Sequence, residues 1–231
     1  MSVDGNKKLH DACRLDKNGK GTYDRAIYSA LEYSNKYNSH LNSKITISPF
    51  NVYYIKDAII NLINLGYYHI NLNCAMEIGW KTEHATELYK QLCSIADYLK
   101  NTNKLDEIEI SIFSENKGIP SSELGLEGNS CGGTGNMLAV DWQGNFYPCI
   151  RYMPNAVRRE PYVIGNLEVG LNKEKIHKER ISYLRAITRI SQLPEKCLSC
   201  PIDSLCPSCN GHSYDYYGDP NKRATFVCEM Y

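Results

Sequence analysis

Apolar residues in positions 1–115 recur at two spacings, one typical of helices and one typical of strands. Three amphipathic stretches predict helices, and Thr22, Asn51 and Thr82 are the residues at which these helices are predicted to begin. Between the helices lie runs rich in β-branched residues, which are typical of strands. Because strands separated by helices of this length form βαβ units, the pattern predicts an α/β fold with a parallel sheet. The strands are predicted at 1–4, 44–48, 68–73 and 107–113.

A second region follows, with a different composition. Residues 116–130 are polar and rich in glycine, which is typical of a linker. Beyond the linker, apolar residues on both sides of Gln143-Gly144 predict a β-hairpin, and 171–192 predict an amphipathic helix. We therefore predict two domains, at 1–115 and 131–231. The second domain is small and poor in apolar core, and such a domain usually needs metal to fold.

Composition narrows the class of protein. Of the 231 residues, 42% are hydrophobic, and the charges of 26 basic and 26 acidic side chains cancel to a formal net charge of zero. Such a balance predicts neither nucleic acid nor a membrane surface as a partner. The first residues lack the basic and apolar segments of a signal peptide, and the longest apolar stretches fall far short of the roughly 18 residues that span a bilayer. We therefore expect a cytoplasmic protein, in which clustered cysteines bind metal more often than they form disulfides.

The cysteines of the second domain carry the most specific chemistry. Thiolate is a soft ligand that suits zinc and iron–sulfur clusters. A zinc site would use four cysteines and leave three over, whereas two [4Fe–4S] clusters use all seven if one cluster keeps an open iron. We favour two clusters, and zinc or a purely structural or redox role for the thiols are the alternatives. The pattern runs Cys131, Gly144-x4-Cys149, Cys197-x2-Cys200-x5-Cys206-x2-Cys209 and Cys228.

This pattern resembles the SPASM domain of radical S-adenosylmethionine (SAM) enzymes. The last short step of that family is commonly C-x3-C, whereas this chain has Cys206-Pro207-Ser208-Cys209, which affects how the chain wraps around one cluster. The resemblance implies two auxiliary [4Fe–4S] clusters with interleaved ligands. It implies that Cys131, Cys149 and Cys209 hold the inner cluster, and that Cys197, Cys200, Cys206 and Cys228 hold the outer one.

The first domain resembles the same family. Residues 2–11 resemble the segment that leaves the fourth strand of the radical SAM barrel, 44–48 its fifth strand and 70–73 its sixth. The implied fold is the C-terminal half of a (β/α)6 partial barrel followed by a SPASM domain. Three further segments resemble the peptide maturases that act on CXXX-repeat precursors: Cys131–Gly135, Tyr147–Tyr152 and Pro220–Thr225.

The resemblance implies a function in peptide maturation. Such enzymes are implied to cross-link cysteine sulfur to carbon in a ribosomally made, cysteine-containing precursor peptide. In a complete enzyme, a third [4Fe–4S] cluster would cleave SAM to a radical that takes a hydrogen atom from the peptide. The inner auxiliary cluster would bind the substrate thiolate at its open iron, and the outer one would carry the electron away.

One motif of the family is missing from this chain. SAM cleavage needs a CxxxCxxC loop, whereas the early cysteines Cys13, Cys74 and Cys93 are isolated. We therefore expect the C-terminal part of an enzyme, from a truncated gene, a split subunit or a deliberately shortened chain. Such a chain should bind clusters without cleaving SAM, and should be unstable or associate unless a partner supplies the other barrel half. The competing interpretations are a non-enzymatic zinc- or cluster-binding module for peptides and a nonfunctional gene remnant.

Several other residues are candidates for the site. Asp4 and Asn73 end predicted strands, where active sites of such barrels lie, and they are predicted to contact SAM or substrate. The alternative is a turn residue for Asp4 and a strand-end cap for Asn73. Glu77 follows the sixth strand and is a candidate for the same cavity.

The remaining candidates are expected to be structural. Cys74 is expected to pack in the core, and Cys93 is expected on the apolar face of its helix. His10 and His84 are expected at helix ends or on the surface. His212 is a weaker candidate for a metal ligand, since seven cysteines suffice. The arginines Arg151, Arg158 and Arg159 are candidates for binding an acidic leader peptide, and the alternative is a solvated surface. The tyrosines Tyr147, Tyr152 and Tyr162 are candidates for electron transfer, and the alternative is a packing role.

Overall fold

The computed structural model describes two compact units. It covers residues 3–76, 79–113, 128, 131–171, 173–203, 206, 208–225 and 228–230. The first unit comprises Met1–Lys117 and Phe226–Tyr231, and the second comprises Gly118–Thr225. The last residues therefore group with the first unit, where Met230 packs against the core and Thr82 donates a hydrogen bond to Glu229 at 2.7 Å. The domain boundaries drawn from the sequence differ in this respect and stay predictions.

The first unit is built on a parallel three-stranded sheet in the order β1-β2-β3. Ile45 of β1 lies beside Leu72 of β2, and Ile70 of β2 lies beside Ile110 of β3. The predicted α/β fold with a parallel sheet is confirmed. In chain order, the elements are α1 (Lys7–Cys13), α2 (Tyr23–Tyr37), β1 (Leu41–Ile47), α3 (Ile55–Asn64), β2 (Tyr67–Cys74), α4 (Thr82–Asn101) and β3 (Glu109–Ile110).

Aliphatic side chains of the sheet and its helices form one core. Alternate residues of β1 point inward, because side chains of a strand alternate between its two faces. The helices α3 and α4 bury the apolar stripes that their sequences predict. The innermost side chains are at most 2% exposed and include Ile45, Ile47, Ile55, Ile59, Leu62, Ile70, Ile95 and Leu99.

Two helix caps differ from the predicted ones. Thr22 precedes α2, but its hydroxyl donates to the Arg14 carbonyl, and the carboxylate of Asp11 accepts from the first backbone N–H of the helix, on Tyr23, at 2.8 Å. Asn51 is followed by a 3-10 turn before α3 begins, and its side-chain oxygen accepts from the Ser48 N–H at 2.7 Å. In both cases the predicted local cap does not form. The N-terminus of α2 is capped by Asp11 of the preceding helix, and the Asn51 side chain bonds back to Ser48 instead of forward to its helix.

The predicted first and last strands also differ. Val3 and Asp4 are not in a strand, because Asp4 donates its backbone N–H to His10 at 3.3 Å; residues 1–2 of that prediction lie outside the described residues. The strand predicted at 107–113 is reduced to β3 and a 3-10 turn, since the Ser111 hydroxyl accepts from the Leu72 N–H at 2.9 Å. The Ser111 side chain thus takes the place of a backbone hydrogen bond that would have continued the pairing of β2 with β3.

The described residues of the second unit form a small antiparallel sheet and four helices. The predicted hairpin is confirmed, with Gly144 at a φ of 84° in its turn. The helix predicted at 171–192 is broken at Ile187, whose backbone is extended, and Thr188 caps the helix that follows. In chain order, the elements are β4 (Ala139–Val140), β5 (Asn145–Tyr147), β6 (Gly165–Asn166), β7 (Gly170–Leu171), α5 (Lys175–Ala186), α6 (Arg189–Gln192), α7 (Glu195–Leu198) and α8 (Asn210–Tyr217).

Tyrosine and aliphatic side chains form the core of this second unit. They are buried by packing α5 against the sheet and the turns that follow it. Across both units, none of the helices in the described residues is long and apolar enough to cross a membrane. The core consists of Ala139, Tyr147, Tyr152, Tyr162, Ile164, Ile181, Leu184 and Ile187.

Gly5 provides a test of the packing in the first unit. It has a φ of 77°, and a Cβ at this position would lie 2.3 Å from the Cβ of Ala58. Gly5→Ala should lower the free energy of unfolding by about 2–4 kcal/mol, because it adds both backbone strain and overpacking. Gly19→Ala is the matched control, since Gly19 has a φ of 74° and nothing within 4 Å of its added Cβ. Gly19→Ala should lower the free energy of unfolding by about 1 kcal/mol. Urea titration of both variants measures these losses, and equal losses would contradict the close approach of Gly5 to Ala58.

Candidate metal centre

Two of the predicted cluster ligands face one buried space. Cys131 precedes the 3-10 turn Gly132–Thr134, and Cys149 precedes the 3-10 turn Ile150–Tyr152. A Cβ built on the buried Gly133 would lie 3.5 Å from the Sγ atom of each cysteine. The two sulfur atoms are therefore no farther apart than twice that distance. A side chain on residue 133 would fill the space between them.

Cys209 joins this pair through its position at the start of α8. Burial raises the pKa of Cys209, and the charge of the Cys131 thiolate raises it further. Burial likewise raises the pKa of Cys149, as do the charges of Cys209 and Cys131. The helix α8, which Cys209 precedes, also packs against the 3-10 turns that follow Cys131 and Cys149. The three residues predicted to hold the inner cluster therefore lie together in this structure.

Backbone N–H groups are directed at the same sulfur atoms. The N–H of Arg151 donates to Cys149, and those of Gly211 and His212 donate to Cys209, which lowers the pKa of each thiol against the effect of burial. Cys209 is the N-cap residue of α8, so these donors are the free N–H groups of the first helical turn. These donors offset part of the cost of burying the thiolates, although the pKa of Cys149 and that of Cys209 both stay raised.

The arrangement suits a cluster better than a single ion. Among the described residues, no three His, Cys, Asp or Glu side chains are close enough to share one metal ion. Tetrahedral zinc with Zn–S bonds of about 2.3 Å requires sulfur atoms roughly 3.8 Å apart. In a four-iron cluster each thiolate binds a different iron, which requires a wider spacing. Three half-buried thiols around a space with N–H donors fit such a cluster.

A loop held by charged side chains carries three further cysteines. Cys197 lies in α7, its carbonyl accepts from the Cys200 N–H at 3.1 Å, and the Cys206 N–H donates to the Ile202 carbonyl at 3.0 Å. Asp203 lies between the last two cysteines. Its carboxylate accepts hydrogen bonds from Arg189 and from Arg223, and Arg223 also donates to the Cys206 carbonyl at 2.9 Å. These contacts fix the path of the chain through the predicted outer ligands.

The fourth predicted outer ligand, Cys228, belongs to the first unit. Its thiol is exposed, and it begins a 3-10 turn, Cys228–Met230, which packs against α4. Its predicted role in the outer cluster stays a prediction.

The candidates in the first unit occupy different environments. Asp4 is buried and forms an ion pair with Arg14. Asn73 is exposed near the carboxyl end of β2, beside Thr46 of β1. Contact of Asp4 and Asn73 with SAM or substrate stays a prediction, and Glu77 lies outside the described residues.

The isolated cysteines include one correction. Cys74 packs against the first core, and burial raises its pKa to about 11. Cys93 is exposed, so its expected place on the apolar face of α4 is wrong. It follows Leu88 by five residues, which turns it about 140° away from that buried side chain on a helix of 3.6 residues per turn. Cys13 is exposed as well.

Both histidines expected at helix ends are there. His10 is in the last turn of α1, but it is 1% exposed and thus not on the surface, and burial lowers its pKa. His84 is in the first turn of α4 and accepts from the Lys81 N–H at 3.1 Å. His212 is half-buried, and burial lowers its pKa to about 4.

Two of the three arginines considered for a leader peptide are engaged within the second unit. Arg158 pairs with Asp215 at 2.9 Å, and Arg159 donates to the carbonyl groups of Asp215 and Tyr216, both at 2.8 Å. Arg151 packs beside Gly211, where any side chain would clash with it. These contacts give the arginines structural roles that the sequence does not reveal.

The second unit also contains a cavity of about 210 Å³. It lies beside the hairpin and α5, and the exposed side chain of Arg185 borders it. Pro148, which precedes Cys149, contributes to its wall. Its apolar lining includes Met137, Leu138, Ile164, Leu171, Ile181 and Leu184.

A family comparison supports an iron–sulfur centre in the second unit. Residues 131–201 match the SPASM family, described as an iron–sulfur cluster-binding domain. This range contains four of the seven predicted ligands: Cys131, Cys149, Cys197 and Cys200. No curated protein sequence matches this chain.

Solved structures share the fold of the whole chain. anSMEcpe with bound AdoMet has a TM-score of 0.67 at 19% identity, covering 100% of this chain and 63% of that one. anSMEcpe with AdoMet and the Cp18Cys peptide gives 0.64 at 19% identity, covering 100% and 64%. SuiB of Streptococcus suis bound to its precursor peptide SuiA gives 0.59 at 15% identity, covering 98% and 52%. The predicted resemblance to radical SAM enzymes with a SPASM domain is thus confirmed for the fold, and the chain spans less than two thirds of these proteins.

Proposed function

We propose that this chain is the auxiliary-cluster part of a radical SAM enzyme that matures a ribosomally made peptide. The observation that carries the proposal is the half-buried group of Cys131, Cys149 and Cys209 within a fold shared with anSMEcpe and SuiB. The peptides bound in two of those structures support a cysteine-containing precursor peptide as the partner. The reaction proposed for the complete enzyme is the formation of a thioether cross-link.

The residues of the chain have separate roles in this proposal. Cys131, Cys149 and Cys209 hold the inner cluster, and Gly133 leaves room for it. When bound, this cluster supplies an iron that accepts a substrate thiolate and a place to store one electron. The N–H groups directed at Cys149 and Cys209 offset part of the negative charge that the thiolates bring into the buried site.

The cavity beside the hairpin supports the same partner. Its apolar wall suits an aliphatic side chain, and the exposed guanidinium of Arg185 suits a carboxylate next to that side chain. Because Pro148 in its wall adjoins Cys149, a peptide held there would extend toward the inner cluster.

We also propose a partner that supplies the remaining strands of the barrel. Within the described residues, β1 pairs with β2 along one edge only. An open strand edge exposes unpaired backbone groups and is usually covered in a stable protein. The proposed partner would carry the CxxxCxxC motif that the present sequence lacks.

Metal analysis of the purified chain tests the proposal. Prepared without oxygen, the chain should be brown and contain about eight irons and eight sulfides, as two four-iron clusters require. It should produce no 5′-deoxyadenosine from SAM and a reductant, because it has no CxxxCxxC motif. One zinc and no sulfide would instead indicate a zinc-binding module, and SAM cleavage by this chain alone would contradict its assigned auxiliary role.

A further inference from the structure

Tyr152 lies at the wall of the inner cysteine group. It ends the 3-10 turn that follows Cys149, and its side chain is 0% exposed. Its ring packs against those of Tyr162 and Tyr214, with centroids 5.3 Å and 5.6 Å away. The ring is therefore held in one orientation by other aromatic side chains.

The hydroxyl of Tyr152 differs from those of its two neighbours. Tyr162 donates to the Arg180 carbonyl at 3.4 Å, and Tyr214 donates to the Glu160 carbonyl at 2.7 Å. The Tyr152 hydroxyl is buried and has no hydrogen-bond partner among the described residues. A buried donor without an acceptor is unfavourable, so such a group points to an acceptor supplied by a bound molecule.

The position of the ring identifies the space in which that acceptor would lie. The Cε2 atom of Tyr152 is 3.7 Å from the point at which a Cβ on Gly133 would lie, and the sulfur atoms of Cys131 and Cys149 are 3.5 Å from the same point. Cε2 is bonded to the carbon that carries the hydroxyl. Burial and the charges of the nearby thiolates both raise the pKa of Tyr152, so the hydroxyl keeps its proton and remains a donor.

We propose that the Tyr152 hydroxyl donates a hydrogen bond to a sulfur atom of the inner cluster and thereby raises the cluster's reduction potential. The inference rests on the proposed function, since it requires the cluster. Reduction adds negative charge to the cluster and its sulfur atoms, and a donated hydrogen bond stabilises that charge. Tyr152 is thus a positioning and tuning residue rather than an electron carrier.

Tyr152→Phe in the full, cluster-loaded chain tests this proposal by a redox titration followed by electron paramagnetic resonance. The variant keeps the ring and should bind the same amount of iron. Its inner cluster should be about tenfold harder to reduce, which corresponds to a midpoint about 59 mV lower for one electron. The outer cluster should be unchanged. Tyr162→Phe is the matched control, because it removes a hydroxyl whose partner is a backbone carbonyl, and it should leave both midpoints in place.

A second measurement keeps the test decisive if Tyr152→Phe loses its cluster. Replacing Tyr152 with 3-fluorotyrosine preserves the packing and strengthens the O–H donor, so the inner midpoint should rise. An unchanged inner midpoint in the 3-fluorotyrosine protein, or in Tyr152→Phe where the cluster is retained, would overturn the inference and leave the proposed function standing. Absence of iron and sulfide from the wild-type chain would overturn the proposed function itself, and this inference with it.

Discussion

Replacement of Cys149 by serine is expected to remove one whole cluster, about four irons and four sulfides per chain, while the other cluster remains. Cys149, Cys131 and Cys209 are close enough for their charges to interact, and the inner cluster has no fourth cysteine of its own in the predicted ligand set. A serine hydroxyl is a poorer ligand than a thiolate for iron in such a cluster. Iron and sulfide analysis after anaerobic purification measures the effect.

Cys93→Ser is the matched control for this experiment. Cys93 is exposed on α4 and belongs to neither predicted ligand set, so its replacement should leave the iron and sulfide content unchanged. An unchanged content in Cys149→Ser would contradict the assignment of the inner cluster. A complete loss of iron would show that the two clusters do not assemble independently.

Asp203→Ala is expected to destabilise the second unit by about 3 kcal/mol and to release the outer cluster. Asp203 is shared by Arg189 and by Arg223, whose side chain is 4% exposed. Removing the carboxylate leaves a buried guanidinium without its counter-charge and frees the chain between Cys200 and Cys206. The expected loss of about 3 kcal/mol is at the lower end of the range for broken buried ion pairs. The reason is that the Arg189 side chain is 23% exposed and therefore partly screened by solvent.

The urea concentration at which the helical circular dichroism and the visible cluster absorption are lost measures this effect. Glu179→Ala serves as the control in the same unit. Glu179 pairs with Lys175 at 3.8 Å, and their side chains are 59% and 91% exposed. Its removal should cost no more than about 0.5 kcal/mol, as is usual for an exposed pair on one helix. If both variants unfold alike, Asp203 does not organise the cysteine loop.

The elements that follow from local periodicity were predictable. β1, β2 and the helices between them arise from alternating and helical spacing of apolar residues, and the hairpin around Gly144 arises from its turn sequence. Interactions between distant residues were not. Asp11 caps α2 from the preceding helix, and Ser111 replaces a ladder bond to Leu72, so neither the cap nor the short β3 is apparent from the neighbouring residues.

The same distinction applies to the site. The number and spacing of the cysteine thiols follow from the amino-acid sequence alone, because the short steps between cysteines are a property of the chain. Tertiary packing brings Cys131, Cys149 and Cys209 around one space and lets Gly133 keep it open. It also leaves the Tyr152 hydroxyl without a hydrogen-bond partner among the residues that the structure describes. Burial and the loss of hydrogen-bond partners depend on packing between segments far apart in the chain, and no local pattern encodes them.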